Sequence, residues 1–299
     1  MGRRLGQHFL RNKEVAKKIT DALELSQGDA VLEVGAGRGA LTRELIASLA
    51  SFPPEADPPL AEASGASKTS KGRVVAIEKD GRLAESLRTK IKDPEVPFEI
   101  IEGDMLKVLP ELAKSYKALP AGRQVKAIKP CLPAGRYKLV GNIPYYLTGR
   151  LFRIIGELER KPKTVVLMIQ KEVAERVSAS PPKMNLLAAS VQFWADTEVL
   201  FSVSQKEFVP QPKVESAVIK LKIKKRELTE KQIKNYYSLV KILFKQPRKT
   251  ILNNLSAGLE KPKKELTCLL GETGIDPSAR PQNLGINLII KLAQMLYNR

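Results

Sequence analysis

Apolar positions change their spacing several times along the chain, and each change predicts an element. Val15, Ile19, Ala22 and Leu23 fall on one helical face and predict a helix over 13–25. A short unbroken apolar run follows, AVLEV at 30–34, then GAGRG and a second helical pattern, LTRELIASL at 41–49. RVVAIE (73–78), FEIIEGD (98–104), YKLVGN (137–142) and TVVLMIQ (164–170) read as further strands. LTGRLFRIIGEL (147–158) and KEVAERV (171–177) have helical period. Strands alternating with helices predict an α/β fold, a mostly parallel sheet with helices on both faces. The near-continuous apolar strands agree, because such strands are buried on both sides.

After residue 197 the pattern changes. VLFSV (199–203) and SAVIKLKI (216–223) predict a terminal hairpin joined by a Pro-rich loop containing FVPQPKV, and from about 228 the periods are helical only. The charge run KIKKRELTEK marks the expected boundary, with 1–225 as the first domain and 226–299 as a small all-helical C-terminal one. Two stretches interrupt the plan. Residues 51–72 are rich in Pro, Ser, Ala and Gly, and 117–136 carries LPAGR twice; both read as inserted surface loops.

Charge adds the strongest global signal. Lys and Arg number 51 against 32 acidic residues, a net of +19. A surface this basic favours polyanionic partners, nucleic acid first and an anionic membrane surface second. Apolar residues make up 43% of the chain, but no run approaches membrane-spanning length, so a membrane protein is not expected. The N-terminal MGRRLGQHFLRNKEV lacks the long apolar segment of a secretory signal. Cys131, Cys268 and His8 are too few for a disulfide framework or a zinc cluster. The expected setting is the cytoplasm, with no metal.

Candidate chemistry gathers at the strand ends, where open α/β sheets place their ligands. EVGAGRG (33–39) sets three glycines between a strand and a helix, so backbone can approach a ligand at Gly35 and Gly37. Alone this fits a tight turn as well as a nucleotide site, and it lacks the third glycine position of the dinucleotide fingerprint. Glu78 ends the next strand, where a carboxylate suits the hydroxyls of a ribose. Asp104 ends the third, placed to accept from an adenine amino group, with Met105 beside it to cover the ring. The fourth strand ends in GNIPYY (141–146), with more aromatic surface than a turn needs.

These four tips, in this order, resemble the S-adenosylmethionine-dependent methyltransferases, and among them the amino-methyltransferases with an Asn/Asp-Pro-Pro-Tyr/Phe type of motif. The match narrows along the chain. GQHFL (6–10), EVGAGRGALT (33–42), AIEKD (76–80), GDML (103–106), GNIPYYLT (141–148), MIQKEVAERV (168–177) and FVPQPKVESAV (208–218) resemble the small-subunit ribosomal RNA adenine dimethyltransferases, as do LFKQPRKTILNNL (243–255) and RPQNLG (280–285). PPKMNLLAAS (181–190) departs from that family, which usually has a Tyr-Gly pair there.

The resemblance implies a Rossmann-like class I methyltransferase sheet with a helical C-terminal domain that binds RNA or the ribosome. It implies S-adenosylmethionine as cofactor and the adenines of small-subunit ribosomal RNA in an assembling subunit as substrate, acted on by a monomer. Asn142 and the Ile143 carbonyl would accept from the target N6, Pro144 would fix the turn, and Tyr145 and Phe208 would face the flipped base. His8, Leu10, Gly35, Gly37, Glu78, Asp104, Met105 and Asn142 would hold the cofactor. Glu33 would support the glycine loop or the methionine amine, and Lys241, Lys245, Arg248 and Lys249 would grip phosphates. Trp194 reads as core. A large-subunit methyltransferase of the macrolide-resistance type, a DNA adenine methyltransferase and a non-catalytic assembly factor are the competing readings.

Overall fold

A computed structural model of the protein describes residues 7–52, 72–93, 95–114 and 137–297. The repeated LPAGR segment and nearly all of the 51–72 stretch therefore lie outside the described residues. The chain divides into two compact units, residues 1–171 with 198–223, and residues 172–197 with 224–299. This differs from the expected division at 225. Residues 172–197, assigned by sequence to the first domain, cluster with the later helices, and the amphipathic pattern alone does not say which helices a segment joins.

The elements follow in chain order. A two-residue strand β1 (Phe9–Leu10) precedes α1 (Lys13–Asp21), β2 (Ala30–Val34), α2 (Ala40–Ala50), β3 (Arg73–Glu78), α3 (Gly81–Lys90), β4 (Phe98–Glu102) and α4 (Met105–Leu112). Then come β5 (Tyr137–Asn142), α5 (Thr148–Glu157), β6 (Thr164–Gln170), α6 (Lys171–Val177), α7 (Leu186–Gln192), β7 (Ala195–Val203), β8 (Phe208–Val209) and β9 (Ser216–Ile223). Helices α8 (Glu230–Leu243), α9 (Ile251–Leu259), α10 (Lys263–Thr273) and α11 (Ile286–Tyr297) finish the chain.

Among the described residues seven strands form one sheet in the order β4-β3-β2-β5-β6-β9-β7, and β1 pairs with β8 outside it. Strands β2 to β6 run parallel, and β9 is antiparallel to β6. The order reverses between β2 and β5, so the crevice above their carboxyl ends is the expected ligand site. All five residues of β2 are buried, as are six of seven in β6. Each Val, Ile or Leu so placed contributes roughly 1.5–3 kcal/mol on burial.

Side chains at the strand tips start the helices. Asp80 accepts from the Arg82 and Leu83 N–H groups, and Asp104 from that of Leu106, satisfying donors at the starts of α3 and α4. At the opposite end of the sheet two lysines are buried in the strands. Lys138 of β5 pairs with Asp29 at 2.7 Å and donates to the Glu24 carbonyl, while Lys220 of β9 pairs with the Glu24 carboxylate at 2.6 Å. They anchor the turn between α1 and β2.

In the second unit the Tyr236 hydroxyl donates to the Ala189 carbonyl at 2.8 Å, and its ring stacks on Phe193 with centroids 4.0 Å apart. Trp194 is buried, in keeping with its reading as core. Buried Asn254 donates to the Gln246 carbonyl at 3.0 Å and accepts from the Gln246 N–H at 3.2 Å, fixing the turn between α8 and α9. No helix among the described residues is long and apolar enough to cross a membrane.

Candidate functional site

A cleft opens above the carboxyl ends of β2, β3, β4 and β5. It is lined by residues of all four sequence-identified tips, together with His8 and Leu10 from the N-terminal segment. The glycine loop is held open by backbone conformation: Gly35, Gly37 and Gly39 have φ of 75°, 57° and 79°, a region where a side chain is strained. A Cβ on Gly37 would lie 3.1 Å from the Phe9 ring, so the loop and the segment crossing it pack without room for more. The Arg38 guanidinium sits over that ring, 4.7 Å from its centroid.

Carboxylates line one side. The Glu78 Oε2 accepts from the Gly37 N–H at 2.7 Å and Oε1 from the Asp80 N–H at 2.9 Å, which locks the end of β3 to the glycine loop. Each oxygen keeps a further lone pair for a hydroxyl. Glu33, 1% exposed, accepts from the Thr42 hydroxyl at 2.7 Å. Burial pushes its carboxyl up to about 7; the Thr42 hydrogen bond opposes this and the nearby Glu78 charge adds to it. Asp104 faces the cleft beside Met105 and pairs with Lys79 at 3.1 Å. Burial alone would raise its carboxyl, but the Leu106 N–H and the Lys79 ammonium more than offset it and hold it below the ordinary range. An exposed pair of this kind contributes about 0–1 kcal/mol.

The GNIPYY turn faces these acids. Gly141 packs where a Cβ would meet the Val34 carbonyl, so β5 approaches β2 more closely than any other residue would allow. The Asn142 Nδ2 donates to the His8 carbonyl at 2.8 Å. With the amide nitrogen committed there, the oxygen is the atom left to accept from a substrate. The Ile143 side chain is buried and its N–H donates to the Met168 carbonyl at 3.1 Å, fixing the turn to β6. The Tyr145 hydroxyl bonds to that of Ser216 at 2.9 Å, and its ring stacks at 5.8 Å on that of His8. One face of the motif is thus an acceptor and the next an immobilised aromatic, a suitable pair for a planar amino-bearing base.

Phe208 is placed otherwise than expected. It is 3% exposed, lies in the core cluster with Leu10, and is absent from the cleft. Strand alternation accounts for this: Phe208 pairs with Leu10 and turns inward, leaving Val209 exposed. Its segment instead braces the N-terminal strap. The His8 Nδ1 bonds to the Pro210 carbonyl at 2.8 Å, the Arg11 N–H donates to the Glu207 carbonyl at 2.9 Å, and the Asn12 amide donates to the Glu207 carboxylate at 2.8 Å.

Several cleft residues escaped sequence reasoning, among them Gln7, Arg38, Lys79 and Tyr146. Lys79 and Tyr146 follow motif residues directly, which was the available signal; Ser216 offered none. Lys241, Lys245, Arg248 and Lys249 belong to the second unit, do not line the cleft, and are all exposed. Three of them occupy the turn that Asn254 fixes. No group of three or more potential metal ligands occurs among the described residues.

The chain matches the model of the ribosomal RNA adenine dimethylase family over residues 2–73 and 67–297. It is 34% identical over 284 residues to a ribosomal RNA small subunit methyltransferase A of Dehalococcoides mccartyi, covering 94% of this chain and 84% of that protein. A protein of the same description from Caldanaerobacter subterraneus is 35% identical over 297 residues, covering 98% and 96%. Among solved structures, a dimethyladenosine transferase from Plasmodium falciparum superposes with a TM-score of 0.72 at 24% identity, over 97% of this chain and 98% of that one. The 23S rRNA methyltransferase ErmE superposes with a TM-score of 0.66 at 24% identity, over 96% and 99%. These two likenesses establish the class I methyltransferase fold.

Proposed function

Since the chain belongs to the ribosomal RNA adenine dimethylase family, we propose that it transfers methyl groups from S-adenosylmethionine to N6 of adjacent adenosines in small-subunit ribosomal RNA. Asn142 is the observation that carries this reading. Its amide nitrogen is tied to the His8 carbonyl, and its oxygen is left for a substrate in the cleft that also holds the glycine loop, Glu78 and Asp104.

The cleft suits the cofactor on its own features. A positive-φ glycine loop admits close backbone approach, two tip carboxylates match a ribose and an adenine amino group, and Glu33 in the cleft wall offers a carboxyl oxygen to an ammonium. Gly35, Gly37, Glu78, Asp104 and Met105 would hold it from below, with His8 and Leu10 in the strap above. When bound, S-adenosylmethionine supplies an electrophilic methyl on its sulfonium. The protein residues act on the adenine. The N6 lone pair is delocalised into the ring, which makes N6 a poor nucleophile. Asn142 Oδ1 and the Ile143 carbonyl accept hydrogen bonds from its two N–H groups and draw the nitrogen toward tetrahedral geometry, freeing the lone pair. Pro144 holds both acceptors toward one point. Tyr145 stacks on the extruded base and offsets the cost of unstacking it from RNA. No side chain forms a covalent bond, and the rate gain comes from position and electrostatics.

Lys241, Lys245, Arg248 and Lys249 are proposed phosphate contacts. The helical unit would add affinity through shape and phosphates, since one base pocket cannot select a site in a ribosome. Each contact adds about 0.7–0.9 to the slope of log affinity against log salt.

Transfer of labelled methyl to undermethylated small subunits, large subunits and DNA, compared side by side, tests the assignment. Transfer to small subunits is expected; preferential labelling of large subunits or DNA would overturn it. Asp104 gives a narrower test. Asp104→Asn keeps an acceptor for the α4 cap and removes the charge, so it should stay folded while S-adenosylmethionine binds roughly tenfold or more weakly, the loss of a charge-assisted bond of about 1.5–3 kcal/mol. Titration calorimetry reads this directly, and unchanged affinity would remove Asp104 from the cofactor site.

A further inference from the structure

We infer that Tyr146, flanked by Lys79 and Arg150, forms a second base-binding site at the mouth of the cleft, for the nucleotide next to the target adenosine. This rests on the RNA adenine methyl transfer proposed above.

The two adjacent tyrosines have opposite surroundings. Tyr145 is half-buried, tied by its hydroxyl to Ser216 and by its ring to His8. Tyr146 lines the same cleft but is 63% exposed, and among the described residues no hydrogen bond or ring contact engages its side chain. An aromatic ring left free at the rim of a polar cleft offers a π-face to whatever enters. Two cations are near in the fold or the chain. Lys79 lines the same cleft, where it pairs with Asp104 at 3.1 Å, and Arg150, four residues on in the first turn of α5, is exposed. Gly149, beside Arg150 in the chain, leaves open space, since an added Cβ would meet nothing within 4 Å.

Ring, cations and open floor together suit a nucleotide: the base stacks on Tyr146 and the phosphates lie toward Lys79 and Arg150. An adenosine extruded into a pocket drags its neighbours to the pocket mouth, so contacts to flanking nucleotides govern which sequences are accepted. Stacking is tolerant of base identity, because every base has a π-face. Tyr146 would thus hold the RNA strand in register while Tyr145 holds the target.

Tyr146→Ala, Tyr146→Phe and Tyr146→Trp test this, each checked for folding by S-adenosylmethionine affinity. In single-turnover assays on undermethylated small subunits, Tyr146→Ala should raise the subunit concentration for half-maximal rate about 5- to 150-fold. The saturated rate should change far less, and Phe and Trp should restore the wild-type value. An RNA oligonucleotide with 2-aminopurine beside the target adenosine should lose fluorescence on binding wild type and the Phe and Trp variants, but not the Ala variant. Wild-type half-saturation in Tyr146→Ala, or a Phe variant as poor as Ala, would overturn the stacking role. If wild type labels no ribosomal RNA, the proposed function fails, while the fluorescence arm, which needs only binding, still decides the role of Tyr146.

Discussion

Asn142→Ala should lower the single-turnover rate of methyl transfer by about 10²–10³-fold, while affinity for S-adenosylmethionine stays within about twofold. The magnitude is that of removing one preorganised polar group from a site where charge or geometry changes in the transition state. In the proposed mechanism Asn142 supplies one of two acceptors to N6, and the other is the main-chain carbonyl of Ile143, which substitution leaves in place. Acceptance matters most as N6 becomes tetrahedral, so the loss belongs in the chemical step and not in ground-state binding. The amide also holds the His8 carbonyl at 2.8 Å, so its removal frees one anchor of the strap over the cleft. Cofactor affinity separates the two roles. A slow variant with normal cofactor binding supports the N6 role, a joint collapse means Asn142 acts through the strap, and a near-wild-type rate means the turn is only structural.

The second large effect concerns stability. Glu33→Gln should stabilise the cofactor-free protein at pH 8 relative to pH 4.5, compared with wild type, by about 3 kcal/mol. Its folded-state carboxyl is raised from 4.5 to about 7, chiefly by burial. The folded protein therefore holds this proton more tightly than the unfolded chain. The contribution to stability is fully present below pH 4.5, is lost as pH rises toward 7, and is a constant cost above that. The substituted amide carries no such proton to lose. It brings pH-independent costs of its own, so the informative quantity is the difference between the two proteins across a pH series of denaturant melts. That difference should be level below about pH 4.5, rise toward pH 7 and then level again. Parallel curves would show that Glu33 is not held in the buried, proton-binding state described here.

Sequence reasoning reached the sheet and the four strand tips because both depend on local signals. Unbroken apolar runs marked β2, β3, β5 and β6 to the residue, and glycines, acids and the Asn-Ile-Pro-Tyr turn stood where such runs ended. It did not reach contacts made between distant segments. Tyr145 meets Ser216 across 71 residues, and Asn142 meets His8 across 134. Neither spacing leaves a periodic trace. Phe208 departs from its expected place because the motif suggests an exposed aromatic, whereas strand pairing with Leu10 decides the direction of the side chain. The helical segments within 172–197 were recognisable as amphipathic, but the packing partner of an apolar stripe is a tertiary fact.

The position of β9 has a consequence for the order of synthesis. It lies between β6 and β7 in the sheet, and it is the last strand made. Until it emerges, β6 has one unpaired edge of free N–H and C=O groups carrying TVVLMIQ, an apolar segment of the kind that pairs promiscuously between chains. Forty-five residues separate Gln170 from Ser216, so at about 5–20 residues per second the edge stays open for roughly 2–9 s on the ribosome. Shielding by a chaperone, or crowding by neighbouring nascent chains, would act on that interval. A message whose translation pauses after β6 has emerged from the ribosome but before β9 has should yield more aggregated protein than one paused once both have emerged, although the finished polypeptides are identical.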